Sequence, residues 1–234
     1  MIVYFQLEYS NMLVNQIIKP ISMNIFKSYD IRGIYPSQLN EDTAYKIGQA
    51  YATLIQKENP DGVIICIGPQ AHAALAPQVL EMGIPVYTEK PPAPTAAAAL
   101  QVARLASAKG LLCTTAFKKR YSNAANRTTE WLAQFPQEDR YAISIDYCSA
   151  QYKNDSPRTS FLLDFCIHII DLVGYLFGDV ARVFAFSKGL DAYAVSLTFT
   201  SGAVGTLTLA CGRSFQIPTE EIEITVKGGN FMTL

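Results

Sequence analysis

Two groups of side chains in the 234-residue sequence have the types and spacing that acid–base chemistry requires. In the first group, Asp164 and His168 are four residues apart, and Asp171 follows three residues later. On a helix this spacing places all three side chains on one face. An imidazole beside a carboxylate can accept a proton, and the carboxylate can fix its orientation. A core histidine bonded to its neighbour would show the same pattern.

The second group lies in the segment Thr-Glu-Lys-Pro-Pro at 88–92, which directly follows a short apolar run. We predict that the run is a parallel strand. Ligands of open α/β sheets bind beyond the carboxyl ends of the strands, so Lys90 is placed at a binding crevice. The alternative is a solvated loop lysine.

The other histidine, His72, follows Gly68 and Pro69 at the predicted start of a helix. A glycine at the end of a strand lets a flat ligand approach the backbone closely. The same position also suits a histidine that only packs or caps at the entrance of the helix.

The sequence around these residues shows two different patterns of secondary structure. From residue 61, short apolar runs alternate with helical patterns, and this indicates a parallel sheet covered by helices. After residue 118 a helix (119–135), a strand (141–148) and a long helix within 158–177 precede a strand-rich region. In that region residues 193–199 and 204–209 alternate apolar and polar side chains around Ser201 and Gly202, which predicts a hairpin with one covered face. A further strand is predicted at 221–226.

Composition and charge exclude several classes of function. The formal net charge is −1 and half of the residues are hydrophobic, which predicts a folded protein without nucleic-acid or anionic-membrane partners. Five cysteines without a CxxC pair predict neither a disulfide framework nor a metal site, and they favour the cytoplasm. The apolar segment 161–177 contains Asp164, His168 and Asp171, so a buried helix is expected rather than a membrane span. Residues 1–23 lack a basic n-region, so no signal peptide is predicted.

Residues 58–234 resemble the Gfo/Idh/MocA oxidoreductases, the family of glucose-fructose oxidoreductase and inositol dehydrogenase. Four motifs in the order of the family carry the resemblance: Asp-Gly-Val-Ile-Ile-Cys-Ile-Gly-Pro-Gln-Ala-His at 61–72, Glu-Lys-Pro at 89–91, Phe-Lys-Lys-Arg-Tyr at 117–121, and Leu-Asp-Phe-Cys-Ile-His-Ile-Ile-Asp-Leu at 163–172. The resemblance implies a fold of the α/β class, with an incomplete Rossmann-like parallel sheet followed by an α+β domain whose open sheet is largely antiparallel.

The resemblance also implies an NAD(P)-dependent oxidation of a sugar or polyol carbinol. His168 would take the hydroxyl proton as hydride leaves for the cofactor, and Lys90 would stabilise the developing charge on oxygen. Asp164 would orient the histidine or bind substrate hydroxyls. The residues expected to line the nicotinamide side of the cleft are Gly68, Pro69, His72, Glu89 and Lys90. The open sheet of the second domain would form a homo-oligomer interface.

One family feature is missing from the sequence. The family opens with a strand and a G-x-G-x-x-G turn that holds the pyrophosphate, whereas the only glycines before Asp61 are Gly33 and Gly48. Each lost charge-assisted hydrogen bond is worth about 1.5 to 3 kcal/mol, so weakened binding of NAD or NADP is predicted.

Residues 23–59 instead resemble the beginning of the phosphomannomutase/phosphoglucomutase family, through Tyr-Asp-Ile-Arg-Gly at 29–33 and an amphipathic helix at 40–57. The sequence lacks the phosphoserine loop and the Asp-x-Asp-x-Asp metal loop that mutase chemistry needs. A phosphosugar-binding module using Arg32 is therefore the weaker alternative, and a non-catalytic remnant that oligomerises is another.

The resulting domain prediction is a chimaera. Residues 1–22 are unassigned, 23–59 are phosphohexomutase-like, 60–118 form a partial dinucleotide-binding domain, and 119–234 form a C-terminal α/β domain expected to lack its final strands. Because a parallel sheet without its first strand would leave a hydrophobic edge at 63–67, we expect a segment near 2–7 or 25–29 to pair there.

Overall fold

The computed structural model describes residues 60–150, 160–212 and 219–233, together with positions 37, 40, 42, 43, 46, 47, 49, 50 and 53. The chain divides into two compact units, the first ending at Thr115 and the second beginning at Ala116. The predicted edge strands near 2–7 and 25–29 lie outside the described residues, as does Arg32.

The predicted amphipathic helix at 40–57 is helical at every described position from 42 to 53. Asn40 Oδ1 accepts a hydrogen bond of 2.9 Å from the backbone N–H of Thr43, which is the geometry of an N-cap. Ile47 and Ala50 are buried. At these positions the structure agrees with a helix that is capped at Asn40 and buries one face.

The first unit contains a three-stranded parallel sheet. Its elements are β1 (Val63–Ile65), α1 (Pro69–Glu81), β2 (Val86–Thr88), α2 (Ala96–Lys109) and β3 (Cys113–Thr115). The strand order is β1-β2-β3, with Val63 opposite Val86 and Val86 opposite Cys113. This is the predicted alternation of parallel strands and helices, although each hydrogen-bonded ladder is shorter than the apolar run that predicted it.

Local sequence signals set the ends of the two helices in this unit. Pro69 occupies the first position of α1, where its missing N–H costs no hydrogen bond. The Thr95 side chain accepts a hydrogen bond from the N–H of Ala98, and Gly110 ends α2 with a φ of +65°. Both helices pack on the sheet through a buried cluster: Ile65, Ala76, Leu80, Val86, Val102 and Ala106.

The second unit is built on a six-stranded mixed sheet. Its helices are α3 (Asn123–Leu132) and α4 (Ile167–Phe177), and its strands are β4 (Arg140–Ser149), β5 (Val180–Lys188), β6 (Ala192–Phe199), β7 (Val204–Cys211), β8 (Thr219–Val226) and β9 (Phe231–Thr233). The strand order is β5-β6-β7-β4-β8-β9. Only the β4–β7 pair is parallel among these described strands, so the predicted fold class is confirmed.

The hairpin predicted around Ser201 and Gly202 is the antiparallel pair β6–β7. Gly202 has a φ of +91°, which suits a turn glycine. Gly205 lies on the helix-covered face, where a Cβ would approach Ile143 Cγ2 and Phe199 Cε2 to 3.2 Å. Close packing across the core therefore explains glycine at this strand position.

The helix predicted at 119–135 is interrupted. Residues Lys118–Tyr121 form a 3₁₀ turn, and α3 begins afterwards because Ser122 has an extended backbone and its hydroxyl accepts the N–H of Ala125. The helix predicted within 158–177 starts with a π-helical turn, Leu162–Cys166, that leads into α4.

Arg140 ties the C-terminal ends of α3 and α4 together at the start of β4. Its guanidinium donates hydrogen bonds to the carbonyls of Leu132 at 3.1 Å, Phe135 at 3.4 Å and Leu176 at 3.2 Å. A cation at helix C-termini also opposes the negative ends of the helix dipoles. This contact fixes the end of the helix that carries His168.

Candidate active site

The carboxyl ends of the three parallel strands gather most of the predicted site residues of the first unit. Cys66 and Gly68 follow β1, and Glu89 and Lys90 follow β2. The hydroxyls of Thr88, at the end of β2, and Thr115, at the end of β3, are 3.1 Å apart. The structure therefore brings Gly68, Pro69, Glu89 and Lys90 to the edge at which open α/β sheets bind ligands.

Gly68 offers an open backbone at this edge. It precedes α1 with a φ of −83°, and among the described residues a Cβ there would meet only the Gln70 side chain, at 3.8 Å. Pro69 is buried behind it. None of the described residues therefore presents a steric barrier to a flat ligand that approaches Gly68.

The segment 89–91 is held to the sheet by its backbone. The N–H of Glu89 donates to the carbonyl of Ile65 at 3.0 Å, and the N–H of Lys90 donates to Glu89 Oε2 at 3.0 Å. The Lys90–Pro91 peptide bond is cis. Burial raises the pKa of the nearby Cys66 thiol, and the negative charge of Glu89 raises it further. The carboxylate of Glu89 is thus close to the end of β1.

His72 lies within the first unit rather than on its surface. The side chain is 0% exposed. Its Nε2 faces the N–H of Ile67 at 3.2 Å, and its Nδ1 faces the carbonyl of Pro91 at 2.8 Å. His72 therefore touches the loops after β1 and after β2.

In the second unit, Asp164 and His168 lie on one continuous helical segment, as predicted. Asp164 belongs to the π-helical turn, and His168 is the second residue of α4. His168 is 8% exposed. Its ring meets the ring of Phe117 edge-on, with the ring centres 6.4 Å apart. The imidazole is thus largely shielded from water, a setting in which a neighbouring carboxylate influences it strongly.

Asp171, the third member of this group, is paired with Arg120. The Arg120 guanidinium donates from Nε to Oδ2 at 2.8 Å and from Nη2 to Oδ1 at 2.5 Å. The hydrogen bond to Asp171 raises the pKa of Arg120. In the sequence, Arg120 stands out only as part of the 117–121 motif. The unassigned charge of Asp171 on an apolar helix was the signal that could have pointed to such a partner.

A second ion pair secures the same 3₁₀ turn. Lys119 donates to Glu220 of β8, and its ammonium lies 5.6 Å from the centre of the Tyr147 ring. Burial raises the pKa of Tyr147 to about 12. The turn that follows Phe117 is therefore fastened both to the sheet and to the α4 helix.

Other kinds of site find little support in the described parts of the chain. No three His, Cys, Asp or Glu side chains come together there as a metal site would require. Within those ranges no helix has both the length and the apolar character needed to cross a bilayer. All five cysteines are free thiols.

Two protein-family models match the chain. The first, the Gfo/Idh/MocA oxidoreductase family with its NAD-binding Rossmann fold, matches residues 19–117. The second, the C-terminal alpha/beta domain of the same family, matches residues 144–230. The first match includes the segment 23–59 in which we noted a resemblance to phosphohexomutases. No protein of curated function matches the sequence significantly.

Solved structures share the fold at low sequence identity. A probable dehydrogenase from Thermotoga maritima has a TM-score of 0.68 at 22% identity, over 82% of this chain and 65% of that one. The scyllo-inositol dehydrogenase from Lactobacillus casei has a TM-score of 0.64 at 17% identity, over 74% and 56%. The WlbA dehydrogenase from Bordetella pertussis, in complex with NADH and UDP-GlcNAcA, has a TM-score of 0.68 at 16% identity, over 78% and 58%. The chain thus spans less than two thirds of the length of these structures.

Proposed function

The chain belongs to the Gfo/Idh/MocA oxidoreductase family, and from this premise we propose that it oxidises a carbinol of a sugar or polyol with NAD or NADP. Its first unit supplies a lysine beyond the carboxyl end of a parallel strand, and its second supplies an Asp–His pair on a shielded helix. The occurrence of these two groups in a chain matched by both domain models is the observation that carries the proposal.

The described residues fit the nicotinamide side of such a cofactor. Gly68 has room for a flat ring beside its backbone, and the adjoining strand end carries the hydroxyls of Thr88 and Thr115. The sequence has no G-x-G-x-x-G turn before Asp61, and the segment where the pyrophosphate would bind lies outside the described residues. We therefore assign Gly68, Pro69, Glu89 and Lys90 to the nicotinamide side. Because the glycine-rich turn is missing, we predict that the chain binds NAD or NADP weakly.

The proposed catalytic residues are His168, Lys90 and Asp164. When bound, NAD(P)⁺ would supply the acceptor for the hydride that leaves the carbinol carbon. His168 would take the hydroxyl proton, so that the alcohol becomes a carbonyl. Lys90 would stabilise the negative charge that develops on the carbinol oxygen. Asp164 would orient the imidazole or bind a neighbouring substrate hydroxyl.

The proposed substrate class rests on the chemistry of these groups. An ammonium, a carboxylate and an imidazole can together engage several hydroxyls of one molecule, which suits a polyol or a sugar. The scyllo-inositol dehydrogenase and the WlbA complex with UDP-GlcNAcA are named for polyol and nucleotide-sugar ligands, and this supports the same class.

A turnover screen tests the proposal. The purified protein is mixed with a panel of polyols and sugars and either NAD⁺ or NADP⁺, and absorbance is followed at 340 nm. Reduction of either cofactor with at least one substrate is the expected result. A chain that reduces neither cofactor with any substrate, and that binds neither NADH nor NADPH in a fluorescence titration, would be the non-catalytic alternative.

We also propose that the sheet of the second unit pairs with a second copy of the chain. The face opposite the helices carries small side chains and Asp146 in the middle, Phe184 and Phe186 on β5 at one side, and Glu221 and Glu223 on β8 towards the other. The two phenylalanines are 62% and 68% exposed. Among the described residues, nothing covers these rings.

Charge and symmetry favour a copy of the same chain on this face. The register places Arg182 on the same face as Phe184, beside the phenylalanine edge and away from Glu223. A two-fold axis through the middle of the sheet would bring the basic edge of one copy towards the acidic edge of the other, while aromatic rings cover small side chains. Such a self-complementary face is the kind that forms a homodimer.

A further inference from the structure

The ring of His72 has a single tautomer that satisfies both of its contacts. A backbone N–H can only donate, so Nε2, which faces the N–H of Ile67 at 3.2 Å, must be unprotonated. A carbonyl can only accept, so Nδ1, which lies 2.8 Å from the carbonyl of Pro91, must carry the proton. The ring is therefore neutral, and both of its nitrogens are used inside the domain.

These two contacts join the loops that follow adjacent parallel strands. Ile67 lies two residues after the end of β1, and Pro91 comes directly after Lys90. On the other side of Lys90, the N–H of Glu89 is bound to the carbonyl of Ile65. The backbone of Lys90 is thus fixed from both neighbours, and His72 supplies the anchor at Pro91.

We infer that His72 is a positioning residue. It fixes the 89–91 loop and so fixes the backbone position from which the Lys90 side chain extends. This inference rests on the proposed function of Lys90, and it differs from the cofactor contact expected for His72 from the family resemblance. With no exposed surface and no spare ring nitrogen, His72 acts on the reaction through Lys90.

Two substitutions separate hydrogen bonding from packing. In His72→Gln, the side-chain amide can donate to the Pro91 carbonyl and its oxygen can accept from the Ile67 N–H. In His72→Phe, a ring of similar size fills the site without either contact. A role in filling space alone would make Phe the better replacement, whereas a positioning role makes Gln the better one.

The first measurement needs only the native chain. The sequence has two histidines, so ¹⁵N spectra of the imidazole rings, assigned with a His168→Asn variant, report the tautomer of His72 directly. A neutral ring protonated at Nδ1 is the expected result. A ring protonated at Nε2 or at both nitrogens would overturn the inference.

The second measurement is amide hydrogen exchange, which is independent of catalysis. In His72→Phe we expect the amides of Glu89 and Lys90 to exchange about tenfold faster, because the loop opens more readily. The amide of Val86, bound to the carbonyl of Leu112 within the same sheet, serves as the control. His72→Gln should exchange like the native chain. Unchanged exchange at 89 and 90 in His72→Phe would refute the inference.

The third measurement is turnover, which tests whether His72 affects the reaction through Lys90. A misplacement of about 1 Å can cost about 10²-fold in rate, so His72→Phe should lower kcat by about that factor with little change in KM, and His72→Gln should restore it. A raised KM with unchanged kcat in His72→Phe would instead show direct ligand binding by His72. If the native chain turns over no substrate, the proposed function fails, and the exchange result alone decides whether His72 anchors the loop.

Discussion

Arg120 and Asp171 are joined by two hydrogen bonds across 51 residues of sequence, one from Nε at 2.8 Å and one from Nη2 at 2.5 Å. The guanidinium also lies over the rings of Tyr175, at 5.1 Å, and Phe117, at 5.8 Å. Phe117 in turn meets the ring of His168 edge-on. The ion pair therefore holds the turn after Phe117 against the face of α4 that carries His168.

This pair predicts a loss of stability when its carboxylate is neutralised. Asp171 is 8% exposed on its side chain, so Asp171→Asn leaves a half-buried guanidinium without its anionic partner. We expect the free energy of unfolding to fall by about 1 to 3 kcal/mol, measured by urea denaturation. Asp179→Asn, at an exposed carboxylate after α4, is the matched control. Equal stability of the two variants would contradict the importance of the pair.

The thiol of Cys66 reports on Glu89 at the candidate cofactor edge. Burial and the charge of Glu89 raise its pKa, so less thiolate is present at pH 8 than in an isolated cysteine. Glu89→Gln removes that charge, lowers the pKa of Cys66, and should speed alkylation by iodoacetamide, measured by mass spectrometry of the Cys66 peptide. Glu81→Gln, at the far end of α1, should leave the rate unchanged. A rate that is unchanged or slower in Glu89→Gln would show that the charge of Glu89 does not act on Cys66.

The raised pKa of Tyr147 predicts that the folded protein loses stability at alkaline pH. Burial raises its pKa in the folded protein to about 12, whereas the phenol of an unfolded chain ionises near pH 10. Between these values the folded state holds the proton more tightly, so stability is lost as pH rises from about 10 towards 12. In Tyr147→Phe this part of the loss should disappear from thermal melts recorded against pH. The exposed Tyr141→Phe is the control, and an unchanged profile in Tyr147→Phe would refute the prediction.

The open face of the second unit predicts a change of oligomeric state. Phe184→Asp and Phe186→Asp together place two charges where aromatic rings would cover the partner, and should convert a dimer into monomers in sedimentation velocity experiments. Leu112→Asp adds one charge at an exposed apolar residue of the other unit and should leave the dimer intact. A native chain that is monomeric at micromolar concentration would rule out this interface.

The fold class and most helices and strands could be predicted from the sequence, because the spacing of hydrophobic residues along the chain indicates them directly. The three parallel strands, the β6–β7 hairpin and the α4 helix were all visible as apolar patterns. The sequence does not predict the break at Ser122, because a serine within a polar, helix-compatible stretch does not by itself mark a cap. The π-helical turn before α4 leaves no trace in the period of the sequence.

The site was harder to predict than the fold. Lys90 could be placed because the carboxyl end of a strand is a local property of the sequence. The pairing of Arg120 with Asp171 and the double contact of His72 depend on long-range packing, which a single sequence does not encode in any local pattern. Long-range contacts therefore decide which candidate residues face a ligand and which hold others in place.

We propose that His168 and Lys90 carry a carbinol oxidation, and initial rates of NAD⁺ or NADP⁺ reduction on the best substrate of the screen test this proposal. His168→Asn should lower kcat by about 10² to 10⁴-fold, and Lys90→Ala by about 10² to 10³-fold. Lys118→Ala, at an exposed lysine of the 3₁₀ turn, should stay within about threefold of the native rate, as surface substitutions usually do. Native rates in both His168→Asn and Lys90→Ala would show that neither side chain takes part in the reaction.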